Sequence, residues 1–225
     1  LDQLHLFLLA APVLLFSVVL HEYAHGYAAL KQGDMTAYQL GRLTLNPIKH
    51  IDPFMTVIFP LMLYLAHAPI LGAAKPVPVN PRNFRQHRRG DIIVSLAGVG
   101  ANLLIALLCV PLLVLTYLLG SNVPALASSA SLVQTMLKIA IEMNLGLLFF
   151  NLVPIPPLDG SHVMKYLLPP GWSLRYQQIG RYGFLILLVL LNTPALGWWL
   201  RPVGWLTSAL LLPVSNFMLP TPGVM

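Results

Sequence analysis

Charge is scarce in this sequence. Of its 225 residues only 9% are Asp, Glu, Lys or Arg, against roughly 25% in an average soluble domain. That is too little to cover a water-facing surface of this size, so the composition excludes an ordinary soluble globular protein, a disordered chain and a collagen-like fibre. Cysteine is nearly absent. Cys109 alone permits no intramolecular disulfide and no thiolate-rich metal site, and inside an apolar run it reads as a small buried residue. Acids are few, seven against thirteen Lys and Arg. The excess cations sit mostly in short loops beside apolar runs, the positive-inside pattern of membrane proteins rather than a nucleic-acid surface. No internal repeat or low-complexity tail appears, and the length leaves no room for a separate large soluble module.

What is present is apolar sequence, 57% of the chain. Residues 4–30 form the first run, long enough to span a bilayer. It lacks a small-residue cleavage site and is expected to be a retained helix, not a signal peptide. Residues 31–52 turn polar, and the alternation Tyr38-Gln39-Leu40-Gly41-Arg42-Leu43-Thr44-Leu45 predicts a short strand or hairpin over 36–45. Residues 53–74 are apolar but interrupted by Pro60 and Pro69. Residues 75–91 carry Lys75, Arg82, Arg85, Arg88 and Arg89 with Pro76, Pro78 and Pro81, a density of proline that forces extended backbone. Two clear spans follow at 92–119 and 132–153, separated by an uncharged loop. Further helices are expected over about 176–213, spanning or lying at the interface with Trp198, Trp199 and Trp205 as anchors.

The strongest chemical signal is His21-Glu22-Tyr23-Ala24-His25. Residues four apart share a helix face, so two imidazoles at this spacing can hold one Zn²⁺, and the adjacent carboxylate can activate water. An ionisable residue inside a spanning helix costs roughly 2.5–3.5 kcal/mol even on the gentler insertion scales. Three within five positions need a compensating partner, and a cation provides one. A catalytic zinc usually takes three protein ligands. The acids available as the third are Asp2, Asp34, Asp52, Asp91, Glu142 and Asp159. Asp91 adjoins Arg88 and Arg89, with which an ion pair is the plain expectation. Asp159 follows Pro154, Pro156 and Pro157, which break a helix in or near the membrane. Such a break is tolerated where protein or a water-filled cavity receives it. An acid there is a good ligand candidate, or else the N-cap of a helix starting near Ser161.

Together, His21-Glu22-Tyr23-Ala24-His25 and the stretch Asn151-Leu152-Val153-Pro154 through Leu158-Asp159-Gly160 resemble the site-2 protease family of intramembrane zinc metalloproteases. Asn46-Pro47 with His50-Ile51-Asp52-Pro53, Lys75-Pro76-Val77-Pro78-Val79-Asn80-Pro81, and Ser95-Leu96-Ala97-Gly98 with Asn102 add to the likeness, which covers about residues 8–170. They are similar to the compact bacterial branch, without PDZ-like or CBS-like inserts. Val99 stands where the family often has proline, a difference that touches packing more than chemistry. The resemblance implies His21, His25 and Asp159 as ligands of one zinc, Glu22 as general base, and Asn151 as a residue orienting substrate or oxyanion. It also implies that the partners are transmembrane protein substrates.

The expected fold is therefore an all-α polytopic membrane protein. It would be a bundle of about 4–6 transmembrane helices with a short membrane-associated β-hairpin and a re-entrant segment. Residues 1–225 form a single membrane protease domain, with a catalytic core of about 8–170 and C-terminal helices over about 176–213. The basic 75–91 stretch should face the cytoplasm, which puts the site within cytoplasmic reach in a bacterial cytoplasmic membrane. His25 and Asp159 share a depth only if residues 53–74 do not span. Residues 54–68 would measure about 22 Å as a helix, short of the roughly 30 Å hydrocarbon layer. The function expected is cleavage of transmembrane segments. A transporter or channel using the buried polar residues as an ion path, or an inactive relative that binds membrane proteins, are the alternatives. Weaker site candidates are Glu142 and Asn144, which could line the cavity or bond between helices, and His162, His50, Asp52 and Asn102.

Overall fold

The computed structural model describes residues 3–58, 62 and 74–220. The first apolar run forms one helix, α1 (Gln3–Gln32), which accommodates Pro12 near its start. It ends where Gly33 takes φ +108°, a backbone setting open to glycine. There Gly33 N–H donates to Leu30 O and Asp34 N–H to Ala29 O, which satisfies the last carbonyls of the helix. A single turn, α2 (Thr36–Gln39), follows. The two long central helices are α3 (His87–Asn122) and α4 (Ala127–Asn151). Beyond the proline-rich turn come α5 (Asp159–Leu167), α6 (Pro170–Ile179), α7 (Gly183–Leu191) and α8 (Pro194–Leu211).

Three helical stretches, His5–Gln32, His87–Asn122 and Pro124–Asn151, are long and apolar enough to cross a membrane. A fourth arises if Pro170–Leu191 and Pro194–Phe217 count as one broken span. Among the described residues the protein is thus a polytopic helical membrane protein with three to four candidate spans, which meets the expected four to six only if the broken pair counts as one. After residue 176 the helices are shorter. There α7 has nine residues, about 14 Å of helix, and is cut off from α8 at Pro194. Outward-facing positions confirm the solvent. On α3 the exposed residues include Leu103, Leu104, Leu107, Leu108, Leu112 and Leu115, while Asp91, Ser95 and Asn102 are buried. A soluble helix would do the reverse.

The expected β-hairpin over 36–45 is not formed; among the described residues there is no strand. Alternation favours a strand only if a partner edge is available, and here local bonds prevail. The Asp34 carboxylate accepts from the backbone N–H and hydroxyl of Thr36 and starts a helical turn. Gly41, at φ +62°, then lets Arg42 N–H return to Ala37 O. Residues 42–46 run on without regular structure, and the Arg42 guanidinium reaches the carbonyls of Lys75 and Pro76. Of the expected re-entrant segment 53–74, only Pro53–Ile58, as a π-helical turn, residue 62 and residue 74 lie within the described residues.

The chain forms two compact units. One comprises residues 1–17, 102–150 and 198–225. Its core joins Ala106, Cys109 and Leu113 of α3 to Ala140, Ile141 and Leu145 of α4 and to Val214, so Cys109 is the buried apolar residue expected. Two polar networks cross it. Asn102 donates to Asn144, and Asn144 donates to Ser17. The buried Gln134 donates to the carbonyls of Leu113 and Phe217 and accepts from Leu219 N–H, while Ser131 donates to Pro220 O.

The other unit comprises residues 18–101 and 151–197. Ala29, Phe84 and Val94 form a small core. Its polar hub is the fully buried Asp34, which also accepts from Asn80 N–H at 2.7 Å and Asn83 Nδ2 at 2.8 Å. The hub ties the end of α1 to the extended stretch 75–83. At that stretch's start, Lys75 N–H donates to His50 O at 2.8 Å.

Burial pushes the Asp34 carboxyl up, but its donors from Thr36, Asn80 and Asn83 outweigh that and hold it below the usual carboxylate value. A lowered folded-state pKa stabilises above the unfolded value and is lost as pH falls through the folded one. Asp34→Ala should cost about 3 kcal/mol, since charged hydrogen bonds vanish and buried donors lose their acceptor. Thermal unfolding in detergent should show this deficit at pH 7, and should show it shrinking as the medium is acidified below the ordinary carboxylate range.

Candidate metal centre

His21 and His25 lie on successive turns of α1, and Asp159 is the first residue of α5. The three converge, although Asp159 lies more than 130 positions beyond the two histidines in the chain. The two imidazole Nε2 atoms stand 2.9 Å apart, and each is 3.3 Å from Asp159 Oδ2. Their side chains are 9%, 12% and 16% exposed. No other group of three or more His, Cys, Asp or Glu ligand atoms gathers this closely among the described residues.

The donor set fits a zinc ion. Ligands at about 2.0–2.1 Å in a tetrahedron stand roughly 3.3 Å from one another, close to the spacing found. Asp159 Oδ2 is buried without a well-formed hydrogen bond, the condition of an oxygen directed at something other than a protein donor. His25 Nδ1–H donates to Val94 O at 2.7 Å, which leaves the lone pair on Nε2 for the shared point. Gly98 of α3 makes room. A Cβ there would collide with His25 Nε2 and lie 2.6 Å from His21 Cε1. Burial raises the Asp159 carboxyl, yet the close approach of His21 and His25 outweighs it and holds it at about 2.

Asp159 is not the N-cap. The cap position is Leu158, whose side chain makes no capping bond. The break before it is a chain of tight turns over residues 152–158. Gly160 is forced by close approach, because a Cβ there would meet the Leu152 carbonyl. Asn151 closes α4, immediately before these turns. Glu22, between the two histidines, accepts from Val77 N–H at 2.7 Å through Oε2. Val77 itself is buried, with its Cγ1 where a Cβ on Gly26 would be.

Several secondary candidates take structural places. His50 is buried and bonds Thr44 O at 2.8 Å, and Asp52 accepts from Phe54 N–H. Asn102 and Asn144 bond each other as interhelical glue. Glu142 is exposed on α4. Asp91 is not paired with Arg88 or Arg89 but with Lys165 and His162 of α5. The Val77 amide and Val94 carbonyl are invisible to sequence reasoning because the backbone carries such groups nearly everywhere, and Gly98 stands out only as part of the Ser95-Leu96-Ala97-Gly98 likeness, with no sign that it faces the two imidazoles.

Comparison with known proteins places the chain among metallopeptidases. The model of "Peptidase family M50" matches residues 9–191. Curated relatives bear the name "Putative zinc metalloprotease", among them YwhC of Bacillus subtilis and Rip2 of Mycolicibacterium smegmatis. YwhC is 42% identical over 80% of this chain and 78% of its own length. Rip2 is 34% identical over 91% of this chain and 75% of its own. Rip2 of Mycobacterium tuberculosis is 32% identical over 85% and 70%. No solved structure matches the chain.

Gly98→Ala should therefore act on the centre before it acts on the fold. We expect zinc affinity to fall by about 10–100-fold, the scale of displaced outer contacts, with helicity retained. Metal analysis of the purified variant beside its circular dichroism spectrum checks this; full zinc content would contradict it.

Proposed function

The chain belongs to peptidase family M50, the site-2 protease family, and we propose that it hydrolyses peptide bonds within transmembrane segments of other membrane proteins. It is a zinc metalloprotease and an integral membrane protein. The observation that carries the finer reading is the convergence of one ligand atom each from His21, His25 and Asp159 within 4.8 Å, and these three are assigned as the ligands of one zinc. The catalytic core is assigned to about residues 8–170 of a single membrane domain.

Zinc held there supplies a Lewis acid for a carbonyl oxygen and acidifies water. The remaining work belongs to the chain's own groups. Glu22 takes the proton from the attacking water and delivers it to the departing nitrogen. The Val77 amide holds Glu22 Oε2, so the carboxylate meets the water in one orientation rather than many. Asn151, at the end of α4, is assigned to orienting the substrate or its oxyanion. The hydrocarbon layer lacks the water that hydrolysis consumes. The polar residues around α5 and the broken turns before it supply a path for it from the cytoplasmic side, where the basic 75–91 stretch lies. A substrate helix hides its amides in internal bonds, so it must unwind locally before attack.

Polar residues serving as an ion path would be strung along a route, whereas these meet at one point. An inactive relative would not need Glu22 between the two ligands. The bond between Lys75 N–H and His50 O supports re-entry of the intervening segment, since it brings the two ends of that segment together.

Glu22→Gln should leave zinc content unchanged and slow cleavage of a single-pass membrane substrate by about 10²–10⁴-fold. A variant cutting at the wild-type rate would overturn the assignment. For topology, cysteines introduced at positions 50 and 75 should be labelled from the same face of the membrane by an impermeant reagent. Labelling from opposite faces would make residues 53–74 a true span and undo the re-entrant reading.

A further inference from the structure

Asp91 lies in the second turn of α3 and is 3% exposed. A buried carboxylate near a membrane requires compensation, and among the described residues its side-chain partners come from one short helix. Lys165 Nζ pairs with Oδ2, Tyr166 OH donates to Oδ2 at 2.9 Å, and His162 Nδ1 lies 3.1 Å from Oδ1. Around this core, Arg88 donates to Tyr166 O at 3.0 Å, and Ser173 donates to Lys165 O at 2.7 Å.

The helix so gripped is α5, nine residues long, with Asp159 as its first residue. Beyond its closely packed first turn, where Gly160 lies against the Leu152 carbonyl, the contacts with Asp91 are what grip it. Its buried residues are Gly160 and Ser161, and its N-cap side chain makes no bond. Asp159, His162 and Tyr166 follow the i, i+3, i+7 spacing of one helix stripe, so the face that offers a carboxylate to the two imidazoles is also held by Asp91. A side-chain oxygen about 6 Å from a helix axis moves ~1 Å for a 10° turn, and about 0.5 Å is the tolerance of a working site. The same stripe of α3 continues through Val94, whose carbonyl orients His25, to Gly98, which admits both rings. Asp91, Val94 and Gly98 are themselves at i, i+3 and i+7.

We propose that Asp91 is a positioning residue for the metal centre, fixing the rotation of α5 and thereby the place of the Asp159 carboxylate against His21 and His25. This rests on reading those three residues as zinc ligands. It makes one two-turn stretch of α3 the template for the whole ligand set.

The test is zinc affinity of the full chain in detergent, by competition with a chromophoric chelator, alongside thermal unfolding of the metal-free protein. Asp91→Asn should weaken zinc binding by about 10–100-fold, and Asp91→Glu should recover part of the loss. Asn144→Ala, which breaks the buried network of Asn102, Asn144 and Ser17 and removes no bond to Asp91 or α5, should lower thermal stability at unchanged zinc affinity. Wild-type affinity in Asp91→Asn, with affinity lost in Asp159→Asn, overturns the positioning role and leaves the metal centre standing. Equal affinity in wild type and Asp159→Asn overturns the metal centre itself. Should Asp91→Asn fail to fold, Tyr166→Phe removes one bond to the same carboxylate without stranding it. A several-fold weaker affinity then supports the role, and unchanged affinity overturns it.

Discussion

Two imidazoles and a carboxylate brought together in apolar surroundings set the terms for everything else in this protein. None of the three is tolerable there alone, because each either carries charge or needs hydrogen-bonding partners that hydrocarbon cannot give. Converged, with ring nitrogens 2.9 Å apart and a carboxylate oxygen 3.3 Å from each, they become a single site whose natural complement is a divalent cation. The fold answers the demand for convergence. α1 must run unbroken through its polar cluster, the chain must return after α4, and it must break at the prolines so that α5 begins beside α1.

Precision comes from ordinary backbone and from one buried ion cluster. The α3 stretch from Asp91 to Gly98 meets His25 by a carbonyl, both imidazoles by an absent side chain, and α5 by a carboxylate. The extended residues 75–80 meet Glu22 by the amide of Val77. Proline at 76, 78 and 81 removes amides on either side of that contact, and the amides of Lys75 and Asn80 are given to His50 and Asp34. The composition that reads as an irregular basic loop is therefore a strap whose donors have named destinations.

What could be read in advance follows from this. The pairing of His21 with His25 is legible because helical spacing alone puts them on one face. Asp159 is only one of six candidate acids, and an N-cap candidate as well, until the resemblance of its proline-rich stretch to the site-2 protease family singles it out. The partners of Asp91 are not legible: Arg88 and Arg89 are its neighbours in sequence, while Lys165 is its neighbour in space, more than seventy residues on. The alternation over 38–45 suggests a strand because period-two patterning carries no record of whether an edge is available. Asp34, Thr36 and Gly41 close a helical turn first. The number of spans after residue 176 is not legible, because apolar length is visible in a sequence while its fragmentation at Gly180, Gly183 and Pro194 shows only in the fold.

The buried amide of Gln134 leaves the C-terminal segment little freedom. Both of its ends are committed, to carbonyls at Leu113 and Phe217 and to the amide of Leu219, and Ser131 holds Pro220 alongside. Trimming the chain back past Phe217 would strand a polar side chain among leucines. Residues 217–220 are therefore tied down by side chains of α4, and anything attached beyond them would need a spacer long enough to leave those bonds intact.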